Sequence, residues 1–462
     1  LTYALRQSDT KALFLIDRFK DSDYFGMIGE VREELPDLRW VISMKDHAPA
    51  GMLSWPRFLD IGDTVHEEEL RTREAELSPS DPINLQYTSG TTGFPKGVLL
   101  THRSVLLNAW YVGTFEALTA EDRVCVPVPF YHCFGVVIGV LGCVVHGAAL
   151  LVPSEHFDAA AVLDCVERER ATALYGVPTM FVAELEHESF PARDLSSLRT
   201  GIMAGSPCPV QVMNRVVGDM GAGNLTIAYG LTEASPAITQ TRAEDPVETR
   251  VRTVGRPIPG VEVRIVDPGS GAVLGDGLPG ELQARGHNVM LGYYAMPEAT
   301  AKAIARDGWL RTGDLAVREP DGTYRITGRI KDMIVRGGEN VYPREIEEFL
   351  YTHPAVESAQ VVGVPDPRFG EEVCAWVKPR AGAQCSVEEI RAFCRERLAY
   401  YKVPRYVKFV DAFPLTVTGK VQKFRIREQT IRELGLEVGD APDGITGQEP
   451  DDEASELVDV AS

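Results

Sequence analysis

The feature that most constrains the fold is an alternation of short apolar runs with amphipathic helical segments over residues 1–330. The runs that predict strands lie at 83–87, 123–129, 148–153 and 171–178. The segments that predict helices between them lie at 160–171 and 208–220. This alternation is typical of parallel α/β layers, in which each helix returns the chain to the same end of the sheet.

The pattern changes twice further along the chain. Around residues 251–285 it becomes rich in turns and short alternating strands, which predicts a small β subdomain. After about Lys331 it becomes compact α+β, with Pro343 suited to the first turn of a helix and a capping box from Ser386 to Glu389. We therefore expect a large layered α/β N-terminal domain with a small β subdomain, followed by a small mobile α+β C-terminal domain.

The predicted domain limits are 1–330 for the first domain, 331–436 for the second and 437–462 for an acidic tail. Eight acidic residues and no lysine or arginine follow Gly439, so the tail is expected to be disordered. The formal net charge of the chain is −20, which argues against nucleic acid as a partner because phosphate backbones require a basic surface.

Eight scattered cysteines without a CxxC pair argue against a zinc or redox motif and favour a reducing cytoplasm. Residues 133–152 are long and apolar enough to resemble a membrane span. His146-Gly147 interrupts them, and the following apolar run is typical of a buried strand. We expect a core helix, a turn and a strand there, and no transmembrane segment.

The stretch YTSGTTGFPKG, residues 87–97, combines hydroxyl side chains, glycines and one lysine directly after a predicted strand. Hydroxyl groups and glycine N–H groups donate to phosphate oxygens, and Lys96 adds positive charge. A Walker motif requires Ser or Thr after Gly-Lys, whereas Pro95 precedes Lys96 here and Gly97 follows it. The spacing thus disfavours a P-loop kinase, and a phosphate-binding loop is favoured over a surface linker.

This loop is similar to the signature loop of the adenylate-forming (AMP-binding) superfamily. Four further segments resemble the other signatures in the same order: YGLTEASP at 229–236, GWLRTGDLA at 308–316, GRIKDMIVRGGENVYPREIE at 328–347 and PLTVTGK at 414–420. The sequences of these segments are most similar to those of medium- and long-chain fatty acyl-CoA synthetases. The family normally has further residues at the start of its first domain, and the opening of this chain predicts a helix and a buried strand, as if it began inside a domain.

The resemblance implies two half-reactions. A carboxylate attacks the α-phosphate of ATP and expels pyrophosphate, and the thiol of coenzyme A then attacks the acyl adenylate and expels AMP. Negative charge develops in each half-reaction, so cations and hydrogen-bond donors must lie close to the reacting groups. ATP, Mg²⁺ and coenzyme A are the implied cofactors and cosubstrates.

The resemblance also assigns residues to ATP. The phosphate loop comprises nine residues: Thr88, Ser89, Gly90, Thr91, Thr92, Gly93, Phe94, Pro95 and Lys96. The other implied ATP-binding residues are Gly205, Ser206, Tyr229, Gly230, Asp314, Arg329 and Lys420. Among these, Tyr229 would stack near adenine, Asp314 would accept from the ribose hydroxyls, and Arg329 would add positive charge near the phosphates.

Catalytic roles are implied for Lys420, Thr232, Glu233 and His132. Lys420 would lie between the α-phosphate and the substrate carboxylate, two anions that repel each other. Thr232 would donate to the α-phosphate, Glu233 would bind magnesium, and His132 would lie beside the substrate carboxylate. Taken alone, a histidine in an apolar stretch is as often structural.

Coenzyme A is expected at Gly337, Gly338 and Glu339, with Lys331 as the hinge about which the small domain rotates. The small residues around Gly205 would form the wall of an acyl pocket. A Gly205→Leu change should then shorten the preferred acid, provided that Gly205 has an ordinary backbone conformation.

The function expected from the sequence is an ATP-dependent fatty acyl-CoA synthetase, with medium-chain acids as substrates. The alternatives left open are an acyl-AMP ligase that loads a carrier protein and a CoA ligase for an aryl or other carboxylate. A non-enzymatic binding module is disfavoured because Lys420 and Glu233 are both present. The expected partners are a fatty acid, ATP and coenzyme A, and a homodimer is the expected oligomer if the chain associates.

Overall fold

The computed structural model describes residues 1–88, 95–206, 208–380, 382–416 and 420–436. Ser89 to Phe94 of the predicted phosphate loop and the predicted tail 437–462 lie outside these residues. The helices are α1 (Thr2–Gln7), α2 (Tyr24–Val31), α3 (Trp55–Gly62), α4 (Glu67–Glu76), α5 (His102–Phe115), α6 (Gly142–His146), α7 (Ala159–Glu169), α8 (Pro178–Leu185), α9 (Val210–Gly218), α10 (Val247–Arg252), α11 (Pro297–Ala303), α12 (Pro343–Leu350), α13 (Val387–Arg395) and α14 (Lys423–Leu434).

The strands follow the same chain order. They are β1 (Ala12–Leu15), β2 (Arg18–Phe19), β3 (Ser22–Asp23), β4 (Trp40–Ser43), β5 (Pro82–Thr88), β6 (Lys96–Thr101), β7 (Arg123–Cys125), β8 (Ala149–Leu151), β9 (Ala173–Gly176), β10 (Thr200–Ala204), β11 (Asn224–Gly230), β12 (Ala237–Gln240), β13 (Arg256–Pro257), β14 (Val261–Val266), β15 (Gly280–Gly286), β16 (Gly292–Tyr293), β17 (Leu310–Arg318), β18 (Tyr324–Arg329), β19 (Ile334–Arg336), β20 (Glu339–Val341), β21 (Val356–Asp366), β22 (Gly370–Pro379) and β23 (Tyr406–Phe409).

One compact unit comprises Leu1–Val105 and Val289–Ile304. It contains the parallel pair β1–β4 and the sheet β16-β6-β5, in which β5 and β6 run antiparallel on either side of the predicted phosphate loop. The prediction of a buried first strand was wrong, because residues of β1 alternate between exposed and half-buried and Phe14 is 46 % exposed. That alternation is typical of a strand with one solvated face.

The second unit comprises Leu106–Asn288 and Ala305–Ser462. Its largest sheet has the order β13-β12-β11-β10-β9-β7-β8. The five strands from β8 to β11 are mutually parallel, whereas β12 and β13 join antiparallel. The predicted α/β layering is therefore confirmed, and the carboxyl ends of the parallel strands meet at one edge, where ligands bind in such sheets.

The predicted β subdomain is the antiparallel sheet β14-β15-β17-β18. Its last two strands pair with Asp314 directly opposite Arg329. Directly opposed residues in an antiparallel pair bring their side chains to one face, so register alone places this carboxylate beside this guanidinium.

The α+β region near the chain end is built on the sheet β20-β19-β22-β21, with β23 added beside β22. Helix α12 begins at Pro343 and buries Ile346 and Leu350, and the Ser386 to Glu389 capping box is present at the start of α13. The fold class expected from the sequence is confirmed, while the division of the chain at Lys331 stays a prediction.

The apolar stretch 133–152 is interrupted as predicted. A π-helix spans Phe134–Leu141, helix α6 ends at Gly147 in a left-handed conformation (φ 71°), and β8 follows. The side chain missing from Gly135 leaves room for the Pro129 carbonyl oxygen, 2.2 Å from where a Cβ would lie. Among the described residues, the helices are all too short or too polar to cross a bilayer.

Candidate active site

Asp314 is the centre of one group of predicted site residues. Its carboxylate accepts a hydrogen bond from the Tyr229 hydroxyl at 2.7 Å and another from Arg329 Nε at 2.9 Å. Gly313 precedes it within β17 and has a φ of 70°, a conformation that favours glycine, and the Thr312 hydroxyl accepts from the Asp314 N–H. The backbone and both neighbours therefore fix the carboxylate before any ligand binds.

The charges of Asp314 and Arg329 in this group stabilise each other. The Asp314 side chain is 8 % exposed whereas that of Arg329 is 52 % exposed, so the guanidinium still presents N–H groups outwards. The pKa of Arg329 is raised by the neighbouring Asp314, and burial raises the pKa of Tyr229 well above its ordinary value. Each carboxylate oxygen has two lone pairs, so Asp314 retains acceptor capacity for a pair of hydroxyl groups.

Lys420 is held by the two described arms of its loop. The Lys420 N–H donates to the Thr416 hydroxyl at 3.0 Å, the Thr416 N–H donates to the Lys420 carbonyl at 2.8 Å, and Leu415 bridges Val421. The Lys420 pKa is lowered, first by burial and then by Arg329, while Asp314 and Glu233 act in the opposite direction. Lys420 therefore lies within electrostatic reach of the Asp314 group.

The same lysine also lines an apolar pocket. The pocket is formed by Val128, Pro129, His132, Phe134, Val177, Gly205 and Lys420. Most of these residues follow the carboxyl ends of β7, β9 and β10, which is where the topology of the parallel sheet predicts a ligand. Phe134 is backed by Tyr175, whose ring centroid lies 6.1 Å away at an interplanar angle of 26°.

His132 enters this pocket as a neutral donor. Its Nδ1 accepts a hydrogen bond from the Phe134 N–H at 3.1 Å, which assigns the remaining ring proton to Nε2. Burial, and then the charge of Lys420, lower the pKa of His132 to about 4. The lining of the pocket therefore combines an N–H donor and an ammonium group with hydrocarbon side chains.

Gly205 does not have the ordinary backbone conformation that the sequence analysis assumed. Its φ is 87°, and an added Cβ would lie 3.1 Å from Val177 Cγ1 and 3.8 Å from Lys420 Cε. A leucine at 205 would be strained whatever the pocket holds, so a Gly205→Leu variant would not report on the preferred acid length. Val177, whose Cγ1 lies next to Gly205, is the better position for that test.

Thr232 and Glu233 begin a 3₁₀ turn just after Gly230, the last residue of β11. Burial raises the pKa of the Cys133 thiol to about 12, and the Thr232 hydroxyl lies within hydrogen-bonding reach of that thiol. Glu233 interacts electrostatically with both Lys420 and Lys331. In the parts of the chain that the structure describes, no cluster of three or more metal-ligating side chains occurs.

Lys331 occupies a 3₁₀ turn, Ile330–Asp332, directly after β18. Its pKa is lowered by burial and then by Arg329, and Asp314 and Glu233 also act on it. The predicted hinge residue therefore belongs to the same charged group as Lys420, a proximity that sequence spacing does not reveal. The cations Arg329, Lys331 and Lys420 thus interact electrostatically with the carboxylates Asp314, Glu233 and Asp332.

The remaining predicted residues have local roles that the structure defines. Thr88 ends β5 and Lys96 begins β6, where the Lys96 ammonium lies 4.9 Å from the centroid of the Tyr293 ring. The Pro95 carbonyl accepts from the Tyr3 hydroxyl at 3.0 Å. Ser206 directly follows Gly205 beyond the end of β10.

Gly337 and Gly338 form the tight turn between β19 and β20, with φ values of 58° and 86°, and Glu339 pairs across it with Arg336. The Gly337 N–H donates to the Phe369 carbonyl at 2.8 Å. The turn is thus explained by hairpin geometry alone, and its role towards coenzyme A stays a prediction.

Sequence reasoning missed Val128 and Val177 of the pocket. Neither stands in a signature motif, and both look like ordinary core residues, 3 % and 5 % exposed. The signal that was available is positional: each lies one to three residues beyond the carboxyl end of a parallel strand.

Comparison with known proteins identifies the family to which the chain belongs. The family model "AMP-binding enzyme" matches residues 1–294 and "AMP-binding enzyme C-terminal domain" matches residues 345–420. "Putative acyl-CoA synthetase YngI" of Bacillus subtilis (strain 168) is 52 % identical over 449 residues, covering 94 % of this chain and 82 % of that protein. The mitochondrial medium-chain acyl-CoA ligase ACSF2 of Danio rerio is 42 % identical over 449 residues, with 94 % and 74 % covered.

Among solved structures, the anthranilate CoA ligase AuaEII in complex with anthranoyl-AMP superposes with a TM-score of 0.80 at 28 % identity, covering 94 % of this chain and 81 % of that one. The sequence resemblance to acyl-CoA synthetases is therefore confirmed at the level of the family. The chain belongs to the AMP-binding enzyme family and is an AMP-forming acid–thiol ligase.

Proposed function

We propose that the enzyme activates a medium-chain fatty acid with ATP, through an acyl adenylate, and transfers the acyl group to coenzyme A. The observation that carries the proposal is the position of Lys420. Its side chain lines the apolar pocket beside His132 and lies within electrostatic reach of Asp314 and Arg329. A cation between a carboxylate site and a nucleotide site is what the first half-reaction requires.

In that half-reaction a carboxylate oxygen attacks the α-phosphorus, a new P–O bond forms, and the bond to the β-phosphate breaks to release pyrophosphate. Lys420 would reduce the repulsion between the two anions, and the Nε2–H of His132 would orient the carboxylate. Because His132 is neutral over most of the pH range, it donates a hydrogen bond without adding a second charge.

The nucleotide would be held from several sides. Asp314 would accept from the ribose hydroxyls, Arg329 would face the phosphates, and Thr232 would donate to the α-phosphate. Tyr229 would lie against adenine, with backbone approach at Gly205, Ser206 and Gly230. The loop Thr88 to Lys96 would bind the outer phosphates through N–H and hydroxyl groups.

Magnesium fits the donors that are present. Glu233 offers a hard carboxylate oxygen, and no cluster of three metal-ligating side chains occurs among the described residues, which suits a metal held by one carboxylate and by substrate phosphates rather than by a protein cage. When bound, the metal would neutralise phosphate charge, and Glu233 would fix its position relative to Thr232.

The second half-reaction would use a different arrangement. Rotation about Lys331 would withdraw Lys420 and present Gly337, Gly338 and Glu339, whose open turn suits the narrow pantetheine arm. The thiol sulfur then attacks the acyl carbonyl, and the bond to AMP breaks.

The preference for a medium-chain acid is supported by the name of the ACSF2 relative and by the apolar lining of the pocket. A second candidate is an aryl acid, which the similarity to an anthranilate ligase and the Phe134 ring in the pocket favour. Transfer to a carrier protein instead of coenzyme A is the third.

The free thiols at all eight cysteines suit a reducing compartment such as the cytoplasm, and a homodimer is compatible with the proposal.

The test is a panel of carboxylates assayed for pyrophosphate release with ATP and magnesium, followed by addition of free coenzyme A and mass detection of the thioester. Activity greatest with acids of about six to twelve carbons supports the proposal. Greater activity with benzoate-type acids favours the aryl alternative. Pyrophosphate release without a coenzyme A thioester contradicts the second half and favours a carrier protein.

A further inference from the structure

Three residues beyond Lys420, a second lysine makes a buried ion pair. Lys423 Nζ lies 2.5 Å from Glu347 Oε1 and donates to the Val361 carbonyl at 3.2 Å. Glu347 Oε1 also accepts from the Val361 N–H at 2.8 Å. The side chain of Glu347 is 9 % exposed and that of Lys423 is 23 % exposed. The three residues therefore form a closed, largely desolvated group.

The pair stands on an edge of the C-terminal sheet. Among the described strands, β21 pairs only with β22, so the polar groups of its other side need partners. Glu347 on α12 supplies an acceptor for the Val361 N–H, and Lys423 supplies a donor for the Val361 carbonyl. Helix α12, strand β21 and the start of α14 are thereby joined at one point.

Lys423 is also the first residue of α14, where the helix dipole disfavours a positive charge. Glu347 compensates that charge, so the lysine is stable at the helix start only while the pair is intact. The Gln422 N–H donates to the Pro414 carbonyl at 2.8 Å, which closes the loop that carries Lys420 just before this helix begins.

We propose that the Glu347–Lys423 pair is a positioning device for Lys420: it fixes the start of α14 and thereby the base of the loop from which Lys420 reaches the pocket. Only three peptide units separate the two lysines, so a displacement of the backbone at Lys423 also displaces Lys420. Because α12, β21 and α14 belong to the same region of the chain, the pair is not broken when that region rotates. This inference rests on the proposed function.

The test uses the full chain with Lys423→Met, which removes the charge and keeps most of the length, and Glu347→Gln, which keeps an acceptor for the Val361 N–H. Both should lower the rate of ATP–pyrophosphate exchange about ten- to hundredfold, because displacements near 1 Å at a reacting group have effects of that size. Thioester formation from supplied acyl adenylate should change less than threefold. Lys423→Arg should restore most of the exchange rate.

The matched control is Glu345→Gln. Glu345 lies on the same helix and pairs with Lys402 at 2.7 Å, away from the Lys420 loop. It should leave both half-reactions unchanged. In a Lys420→Ala background, Lys423→Met should cause no further loss of exchange, since its effect acts through Lys420.

Equal losses in both half-reactions, or an additive loss in the Lys420→Ala background, would overturn the positioning role. If Lys423→Met does not fold, as judged by its melting curve, the Lys423→Arg and Glu347→Gln variants decide the question. A parent that releases no pyrophosphate with any carboxylate would contradict the proposed function instead, so the two failures are distinguishable.

Discussion

The two sides of the candidate site differ in how far their polar groups are already paired. On the proposed nucleoside side, Asp314 accepts from Tyr229 and Arg329, and its own N–H is bonded. On the proposed acyl side, Lys420 is a desolvated cation whose pKa is lowered by burial, and His132 uses Nδ1 internally. The first side is complete without a ligand, whereas the second has positive potential that an anion would neutralise.

This difference indicates how binding and chemistry are divided. A preformed group binds a nucleotide with little reorganisation, so its loss should raise the KM for ATP. A desolvated cation such as Lys420 stabilises charge that develops in a reaction, so its loss should lower kcat. Variants on the two sides should therefore separate in steady-state kinetics.

The largest effect is expected for Lys420→Ala. The rate of adenylate formation should fall by two to three orders of magnitude, about 3–4 kcal/mol, which is the usual result of removing one group that stabilises a transition state. Thioester formation from supplied acyl adenylate should stay within a few-fold of the parent. Single-turnover measurement of each half-reaction checks this, and equal losses in both would contradict the division of labour.

Asp314→Asn should have the next largest effect. The amide keeps the shape but loses the charge that pairs with Arg329 and one of the two carboxylate acceptors that the proposal assigns to the ribose. We expect the KM for ATP to rise ten- to hundredfold, with the KM for the carboxylate nearly unchanged.

Glu319→Gln is the matched control for Asp314→Asn, since Glu319 pairs with Arg325 at 2.9 Å at the far end of the same two strands. It should leave both KM values unchanged. A rise in the carboxylate KM alone with Asp314→Asn would place Asp314 on the acyl side.

The extent to which sequence predicted these two sides also differs. Asp314 and Arg329 stand in signature motifs, and the antiparallel register that pairs them includes an irregularity between Leu315 and Ala316. The acyl pocket was only partly predicted, because its walls are apolar residues that act through position. Val177 differs from other core valines only in lying just past the end of β9.

Backbone conformation was the second limit of prediction. The sequence shows a glycine at 205, but its positive φ is set by how the chain leaves β10. No local sequence pattern predicts that conformation. Likewise, the three cations Arg329, Lys331 and Lys420 meet through tertiary packing although Lys420 is remote in sequence. Motifs identified the residues, and the fold determined which of them interact.

A smaller effect is expected at the pocket wall. Val177→Ala removes two methyl groups beside Gly205 and should favour longer or bulkier acids by about three- to tenfold in kcat/KM, since each methylene is worth about 0.8 kcal/mol. Val124→Ala, a fully buried change in the same core, controls for general loosening. A profile over acid length that matches the parent would show that Val177 does not contact the substrate.

The last expected effect, which tests the proposed acyl side without substrate, is the pH dependence of stability. Burial and Lys420 hold the pKa of His132 at about 4 in the folded protein, whereas an unfolded histidine titrates near 6.5. Between these values the unfolded chain binds more protons, so the free energy of unfolding falls as the pH is lowered from about 6.5 to 4. At higher pH this histidine contributes no slope.

The contribution of His132 is at most about 3 kcal/mol, because each pKa unit is worth about 1.4 kcal/mol. Urea unfolding of the parent and of His132→Gln at pH 7 and pH 4.5 measures it: the parent should lose more stability than the variant. Lys420→Met should reduce that difference, since removing the nearby charge raises the histidine pKa again. If the parent and His132→Gln lose stability equally, His132 is not held neutral, and the contrast between a paired nucleoside side and a positively poised acyl side would have to rest on Lys420 alone.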